Sequence, residues 1–225
     1  MLIAEDLLLL LTDDATGRPV VDTSKLDLAL AGAVLVDLAD LDRVEVAGPG
    51  EVVKEGRLYL RDTTPTGEPL LDETLDRIGS RKPGKPASTL PHLTKGLREA
   101  LYGRLVDRGV VRAEEGRVLG VFPSHQWPAA DSTHEDELRR ALQDVLVVGR
   151  EPTEHEALLI SMLYAVDPVP KVLGGDVDKR QVRARAKSIA EGEFAGEAVR
   201  KAVEAVRAAV VTSIAAATVV AAGSS

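Results

Sequence analysis

The sequence predicts a mainly α fold: one domain over residues 1–225, with a buried hydrophobic C-terminal helix and small β-hairpins. Three observations carry this. The stretch "KLDLALAGAVLVDLADL" has apolar residues on nearly every helical face, as a helix enclosed by other elements does. Leu93, Leu97, Leu101 and Leu105 recur at i, i+4, i+8 and i+12, one core-facing stripe. The segments that alternate in the strand period are short and separated by Gly and Pro. A composition of 44% apolar and 28% charged residues over 225 positions is that of a globular chain able to bury a core.

In chain order, residues 3–11 read as a short apolar helix and "TDDATGRPV" as a turn. Ser24 is placed as N-cap of the second helix. "RVEVAG", "EVVKEG" and "RLYLRD" read as three short antiparallel strands, and "LLDETLDRIGS" as a helix ended near Gly79. "RKPGKPAST" reads as a loop, with two Pro, one Gly and three Lys/Arg in nine residues. A basic helix over 93–108 follows, then two strands flanking Glu114-Glu115-Gly116. Ser132 with Glu135, and Thr153 with Glu156, have capping-box spacing and open two further helices. Residues 176–190 give a basic amphipathic helix, and the last helix spans about 194–221. Its uncharged run, "AAVVTSIAAATVVAAGSS", has an apolar part below the roughly 20 residues of a bilayer span, so it reads as core.

Cysteine is absent, which removes disulfides, thiolate nucleophiles and Cys-based zinc sites and fits a reducing cytoplasm. Asparagine is also absent and Arg exceeds Lys, a composition expected of a GC-rich bacterial genome. The N-terminus has no basic leader. His92, His125, His134 and His155 form no HExxH motif; "THEDE" and "EPTEHE" lie at helix starts, where acids favour the dipole. No phosphate loop, dinucleotide fingerprint or nucleophile elbow occurs. The expectation is a non-enzyme with no metal and no cofactor.

Charge is uneven. Residues 1–76 carry six Lys/Arg against seventeen Asp/Glu, whereas residues 77–117 carry ten against four, in a chain of net charge −8. The basic island either meets an external anion or pairs with the acidic N-terminal third. Three readings follow for helix 93–108. It is a solvated helix face; or, with hairpin 110–122, a winged helix for nucleic acid; or a membrane-surface site. In the last, Lys95 and Arg98, one turn apart, hold a lipid phosphate while an apolar hairpin tip enters the interface. Acidic residues 1–76 and 3% aromatics argue against nucleic acid. A scaffold that binds only proteins is the remaining class.

Four stretches in order resemble the Golgi phosphoprotein 3 family: "EDLLLLLTDDATGRPV", "LALAGAVLVDLADLDRVEV", "PTGEPLLDETLDRI" and "GLREALYGRLVDRGVVRAEEGRVLGVF". The resemblance implies a mainly α fold in which amphipathic helices surround the hydrophobic C-terminal one. It implies a bacterial member of a family that binds phosphatidylinositol 4-phosphate on Golgi membranes and acts as an adaptor for glycosyltransferase sorting. The family's lipid pocket joins a Trp and an Arg near the second helix to two basic residues of the basic helix. Lys95 and Arg98 match the second pair, while the Trp and Arg positions fall on Asp22 and Ala31 by ungapped counting. The expected site is therefore Lys95 and Arg98, with Arg81, Lys82 and Lys85 as a supporting mobile basic loop. Val118, Leu119 and Val121 are the expected membrane or subunit contact. The expected partners are an anionic membrane lipid and a protein cargo, with self-association and peripheral membrane attachment in the cytoplasm.

Overall fold

The computed structural model describes residues 1–118, 122–175, 177–192 and 197–222. It is mainly α, as the sequence predicts, with two small antiparallel pairs of strands among the described residues. The element at its centre is α2 (Thr23–Asp40). Residues 28–39 of this helix are all buried. Asp22, rather than Ser24, caps it: its carboxylate accepts from the N–H groups of Ser24 and Lys25.

Around α2 pack α1 (Ile3–Leu10), α7 (Glu154–Val166) and α10 (Glu197–Ala222). Gly32 marks the tightest crossing. A side chain there would meet Val210 of α10 at 2.9 Å and Met162 of α7 at 3.0 Å, so glycine lets three helices close on one point. One apolar cluster runs from Ile3 to Val210 without a break.

The C-terminal helix differs from the sequence expectation. It buries a stripe of Ala202, Val203, Val206, Ala209 and Val210, but Val211, Thr212, Ala215 and Ala216 are exposed. Among the described residues, the enclosed helical stretches are α1, buried throughout, and residues 28–39 of α2. The reason lies in sequence: α10 carries charge at Glu197, Arg200, Lys201, Glu204 and Arg207, which forces an amphipathic face, while α2 is uncharged from Leu28 to Val36. Among the described residues, no helix is long and apolar enough to cross a membrane.

Of the three strands expected near the N-terminal third, two form: β1 (Val44–Val46) pairs with β2 (Leu58–Leu60). The stretch 51–56 between them is a turn that closes with the Gly56 N–H on the Ala47 carbonyl at 2.8 Å. The second hairpin is β3 (Glu114–Val118) with β4 (Phe122–Gln126). Glu114, Glu115 and Gly116 lie within β3 rather than at the turn, because Glu114 is in register with Gln126.

Helix α3 (Pro69–Gly79) forms where the sequence predicts a helix ended near Gly79, while α4 (Pro86–Leu93) and α5 (Leu97–Asp107) take the place of the end of the expected loop and the single basic helix. Pro86 occupies the first turn of α4, where its missing N–H has no partner to lose. The basic helix of 93–108 is interrupted at 94–96. Gly96 has φ 73, a left-handed conformation that separates α4 from α5. The four leucines of the stripe are nonetheless all buried, Leu93 from α4 and the other three from α5. Three more helices complete the order: α6 (Thr133–Gln143), α8 (Val169–Leu173) and α9 (Lys179–Ala190). A π-helical turn, Asp144–Val148, extends α6. The Thr153–Glu156 capping box opens α7 with both bonds made, whereas the Ser132 side chain makes no capping bond to α6.

The N-terminal turn is locked onto the base of the second hairpin. Gly17, at φ 62, approaches the backbone so closely that a Cβ would lie 2.3 Å from the Pro128 nitrogen. Its carbonyl accepts from the Trp127 N–H at 3.1 Å, and the Trp127 ring stacks on Tyr102 at 4.0 Å. Gly17→Ala is expected to cost about 2 kcal/mol or more, from left-handed strain and displacement of 127–128. Chemical denaturation checks it, and an unchanged midpoint would mean that this junction yields freely.

Candidate functional site

The basic island does not face solvent as a block. Three of its seven arginines, Arg98, Arg104 and Arg108, turn to the acidic N-terminal third. Glu5, on α1, is fully buried. Its carboxylate accepts from Arg104 Nε at 2.8 Å, from Arg108 Nη1 at 3.1 Å and from the Leu2 N–H at 2.9 Å. Arg104 also meets Glu68 at 2.7 Å. The acidic partners hold the Arg104 guanidinium above its ordinary pKa, against the effect of its own burial. These are the arginines that a recognition helix would offer to phosphates, so the helix of the winged-helix alternative has its cations engaged within the fold.

Arg98 is drawn the same way. Its Nη1 lies 3.2 Å from Asp27 Oδ1 of α2, and Nη2 is 3.5 Å from Glu99. Neither Arg98 Nη1 nor Asp27 Oδ1 gains a hydrogen bond from this approach, so the pair is a Coulomb contact with poor alignment. Burial pushes the Asp27 carboxyl above the usual carboxylate range, with Arg98 opposing.

Lys95 is different. It sits in the turn between α4 and α5, exposed, and not one turn before Arg98 on a shared helix. Arg77, anchored to Glu73 at 2.6 Å, donates to the Lys95 carbonyl at 2.9 Å and braces that turn. Among the described residues, the ion pairs found include none for Lys95, Arg81, Lys82 or Lys85. The remaining positive face is thus the turn at 95 together with the segment 81–85.

That segment is held rather than mobile. The Leu58 N–H donates to the Gly84 carbonyl at 2.8 Å, an extra bridge on the edge of β2, and Arg57 Nη1 donates to the Pro83 carbonyl at 2.7 Å. Arg81 Nη2 donates to His92 Nε2 at 3.0 Å, which joins the segment to α4. Lys85 is the residue before α4, and its carbonyl accepts from the Ser88 and Thr89 hydroxyls. The sequence reading treated the segment as a loop because its clamp comes from β2, some 25 residues earlier.

Of the apolar hairpin residues expected to contact membrane or a second subunit, Leu119 and Val121 lie outside the described residues. Val118 ends β3, with its backbone in register with Phe122.

Of the two pocket positions that the resemblance set on α2, Asp22 is engaged as helix cap and Ala31 is fully buried.

A second polar centre escaped sequence reasoning. Asp6, beside Glu5, is 1% exposed and accepts from His134 Nε2 at 2.8 Å and His155 Nε2 at 2.7 Å. The bond to Asp6 raises the pKa of His155 against the effect of burial. Asp37 of α2, also buried, accepts from the Ile3 and Ala4 N–H groups at 2.8 and 3.2 Å and so caps α1 from 34 residues away. A signal existed: "IAEDLLLL" has no polar face, so a buried helix must bury Glu5 and Asp6 and find them partners. The histidines had been assigned to helix starts, where they do sit, but their side chains serve Asp6.

Comparison with known proteins gives two findings. A family model described as Golgi phosphoprotein 3 (GPP34) matches residues 3–206. The chain is also 28% identical over 161 residues to vacuolar protein sorting-associated protein 74 of Eremothecium gossypii, across 64% of this chain and 48% of that protein. The chain thus spans about half the length of the curated relative it matches.

Proposed function

The chain belongs to the Golgi phosphoprotein 3 family, and from that membership we propose that it is a non-enzymatic adaptor that attaches peripherally to membranes through anionic lipid head groups. The observation that carries the reading is the residual positive face. Once Arg98, Arg104 and Arg108 are paired inside the fold, Lys95 and the segment with Arg81, Lys82 and Lys85 are left toward solvent. Attraction of such cations to an anionic surface is worth about 1 kcal/mol each and falls with salt.

Lys95 makes the first head-group contact. Arg98 joins by exchanging the poorly aligned Asp27 contact for a phosphate, a charge-assisted bond of better geometry. Phosphatidylinositol 4-phosphate is the head group that the family resemblance suggests. Asp22 and Ala31, at the positions of the other two pocket residues, offer no donor, so recognition here rests on charge more than on one head group. Protein cargo binding and cytoplasmic location belong to the same reading.

Sedimentation with vesicles tests it. Binding is expected to anionic vesicles (cardiolipin-rich or containing phosphatidylinositol 4-phosphate), with neutral vesicles left in the supernatant. Lys95→Glu, an exposed change, should weaken binding on the order of tenfold, and physiological salt should reduce it further. Equal sedimentation of wild type and Lys95→Glu would remove Lys95 from the contact. Equal binding to neutral and anionic vesicles would defeat the electrostatic mechanism.

A further inference from the structure

A separate cleft lies behind the segment 81–85. It has a volume of about 430 Å³, within the range of small-molecule sites. Its composition is unlike the rest of the chain. The protein has 36 Asp and Glu, yet no acid lines this cleft. Its polar side offers Arg81, Lys82, His92 and the hydroxyls of Ser88 and Thr89. Its other side is apolar, with Leu58 and Ile78 buried beneath it.

The polar side is also fixed in place. Arg81 is oriented by its bond to His92, and the Gly84 carbonyl is tied to β2. Arg81 Nη2 lies 3.0 Å from His92 Nε2, so the guanidinium and the imidazole edge are held against each other. Gly84 keeps the hydroxyls open: a Cβ there would stand 3.1 Å from Ser88 Oγ and 3.6 Å from Thr89 Oγ1.

We propose that this cleft binds a phosphomonoester whose body is partly apolar. Two adjacent cations, Arg81 and Lys82, match a dianion better than the single charge of a phosphodiester or carboxylate. Arg81 and Lys82 supply the donors, Leu58 and Ile78 cover the body of the ligand, and the Ser88 and Thr89 hydroxyls, whose protons go to the Lys85 carbonyl, are left as acceptors for a hydroxyl on that body. A soluble metabolite and a lipid head group share that chemistry. The site shares Arg81 and Lys82 with the positive face of the membrane reading but not Lys95 or Arg98, so a soluble probe and the Lys95→Glu variant separate the two.

The test uses the full chain with three probes: glycerol 3-phosphate, vesicles containing phosphatidic acid, and vesicles containing phosphatidylglycerol. The first two carry a phosphomonoester and the third a phosphodiester. Arg81→Ala/Lys82→Ala, at two exposed positions, should weaken binding of the phosphomonoester probes on the order of tenfold or more. Lys95→Glu should leave glycerol 3-phosphate binding unchanged. Binding of glycerol 3-phosphate, lost in the double variant, supports the cleft and a soluble source. Binding of phosphatidic acid vesicles alone, lost in the same variant and exceeding that to phosphatidylglycerol, supports it with a lipid source. The inference is overturned if neither phosphomonoester binds, if the double variant binds as wild type does, or if phosphatidylglycerol is bound equally well.

Discussion

Glu5→Ala is expected to be the most damaging single substitution in the chain, lowering stability by about 3–5 kcal/mol. The carboxylate has no exposure, and three donors converge on it: Arg104, Arg108 and the Leu2 N–H. Removing it leaves Arg104, largely shielded from water, with Glu68 alone, and the more exposed Arg108 with no partner among the ion pairs described. Loss of one member of a buried pair costs more than the pair contributes, because the remaining charge is desolvated and unmatched. For a chain of this size the melting temperature should fall by roughly 10 °C. Glu5→Gln keeps the shape and one acceptor and should cost less. Replacing Glu5, Arg104 and Arg108 together by leucine should recover much of the loss, since an apolar cluster needs no compensation. A Glu5→Ala midpoint within about 1 kcal/mol of wild type would mean that the three groups are solvated in solution, and the inward reading of the basic island would fail.

That hub decides how the charge distribution is read. The sequence counts ten cations over residues 77–117 and cannot say where they point. Four of them pair with acids of residues 1–76: Arg77 with Glu73 one turn back, and, across the fold, Arg98 with Asp27, Arg104 with Glu5 and Glu68, and Arg108 with Glu5. Ion pairs such as Arg104 with Glu5, 99 residues apart, leave no local pattern. What is local was legible. The Leu93 to Leu105 stripe, the Thr153 capping box and the apolar α2 all hold, because each depends on periodicity or on a bond within one turn. The break at 94–96 was legible in part, since Gly96 sits inside the basic run and Pro86 marks a first turn. The leucine period carried across the break hid both. The candidate site shares this split. Lys95 stays exposed as the sequence suggested, while Arg98 was claimed by an acid of α2 that only the packing brings near.

Stability should also fall as pH rises from about 5.5 to 8.5, the reverse of what salt-bridged carboxylates produce. The cause is two buried carboxyls. Burial pushes Asp37 from 3.8 up to about 7, against its two backbone hydrogen bonds. Glu135 is pushed from 4.5 up to about 8 by burial and by its hydrogen bond with Asp14, against the pull of Arg139. Between the ordinary and the raised value, the folded chain keeps a proton that the unfolded chain has released. The folded state therefore binds more protons, and stability declines with each step in pH until the raised value is passed. His155 acts in the same direction: its pKa is raised by Asp6, so its contribution is complete below 6.5 and is lost as pH rises through the folded value. Asp13, Asp62, Asp72, Asp131 and Glu156 are lowered instead, and their contributions disappear only in acid, below about pH 4. On these shifts the optimum lies near pH 4. Asp37 alone accounts for about 2 kcal/mol between pH 5.5 and 8.5, and with Glu135 the loss is about 5 kcal/mol, or roughly 10 °C or more in melting temperature. Asp37→Asn retains an acceptor for α1 and should make the profile shallower up to pH 7, while Glu135→Gln should make it shallower there and level it between 7 and 8. Melting curves at pH 5.5, 7 and 8.5 distinguish the outcomes. A midpoint that stays level or climbs across that range would show that both carboxyls ionise in the folded chain as readily as in the unfolded one.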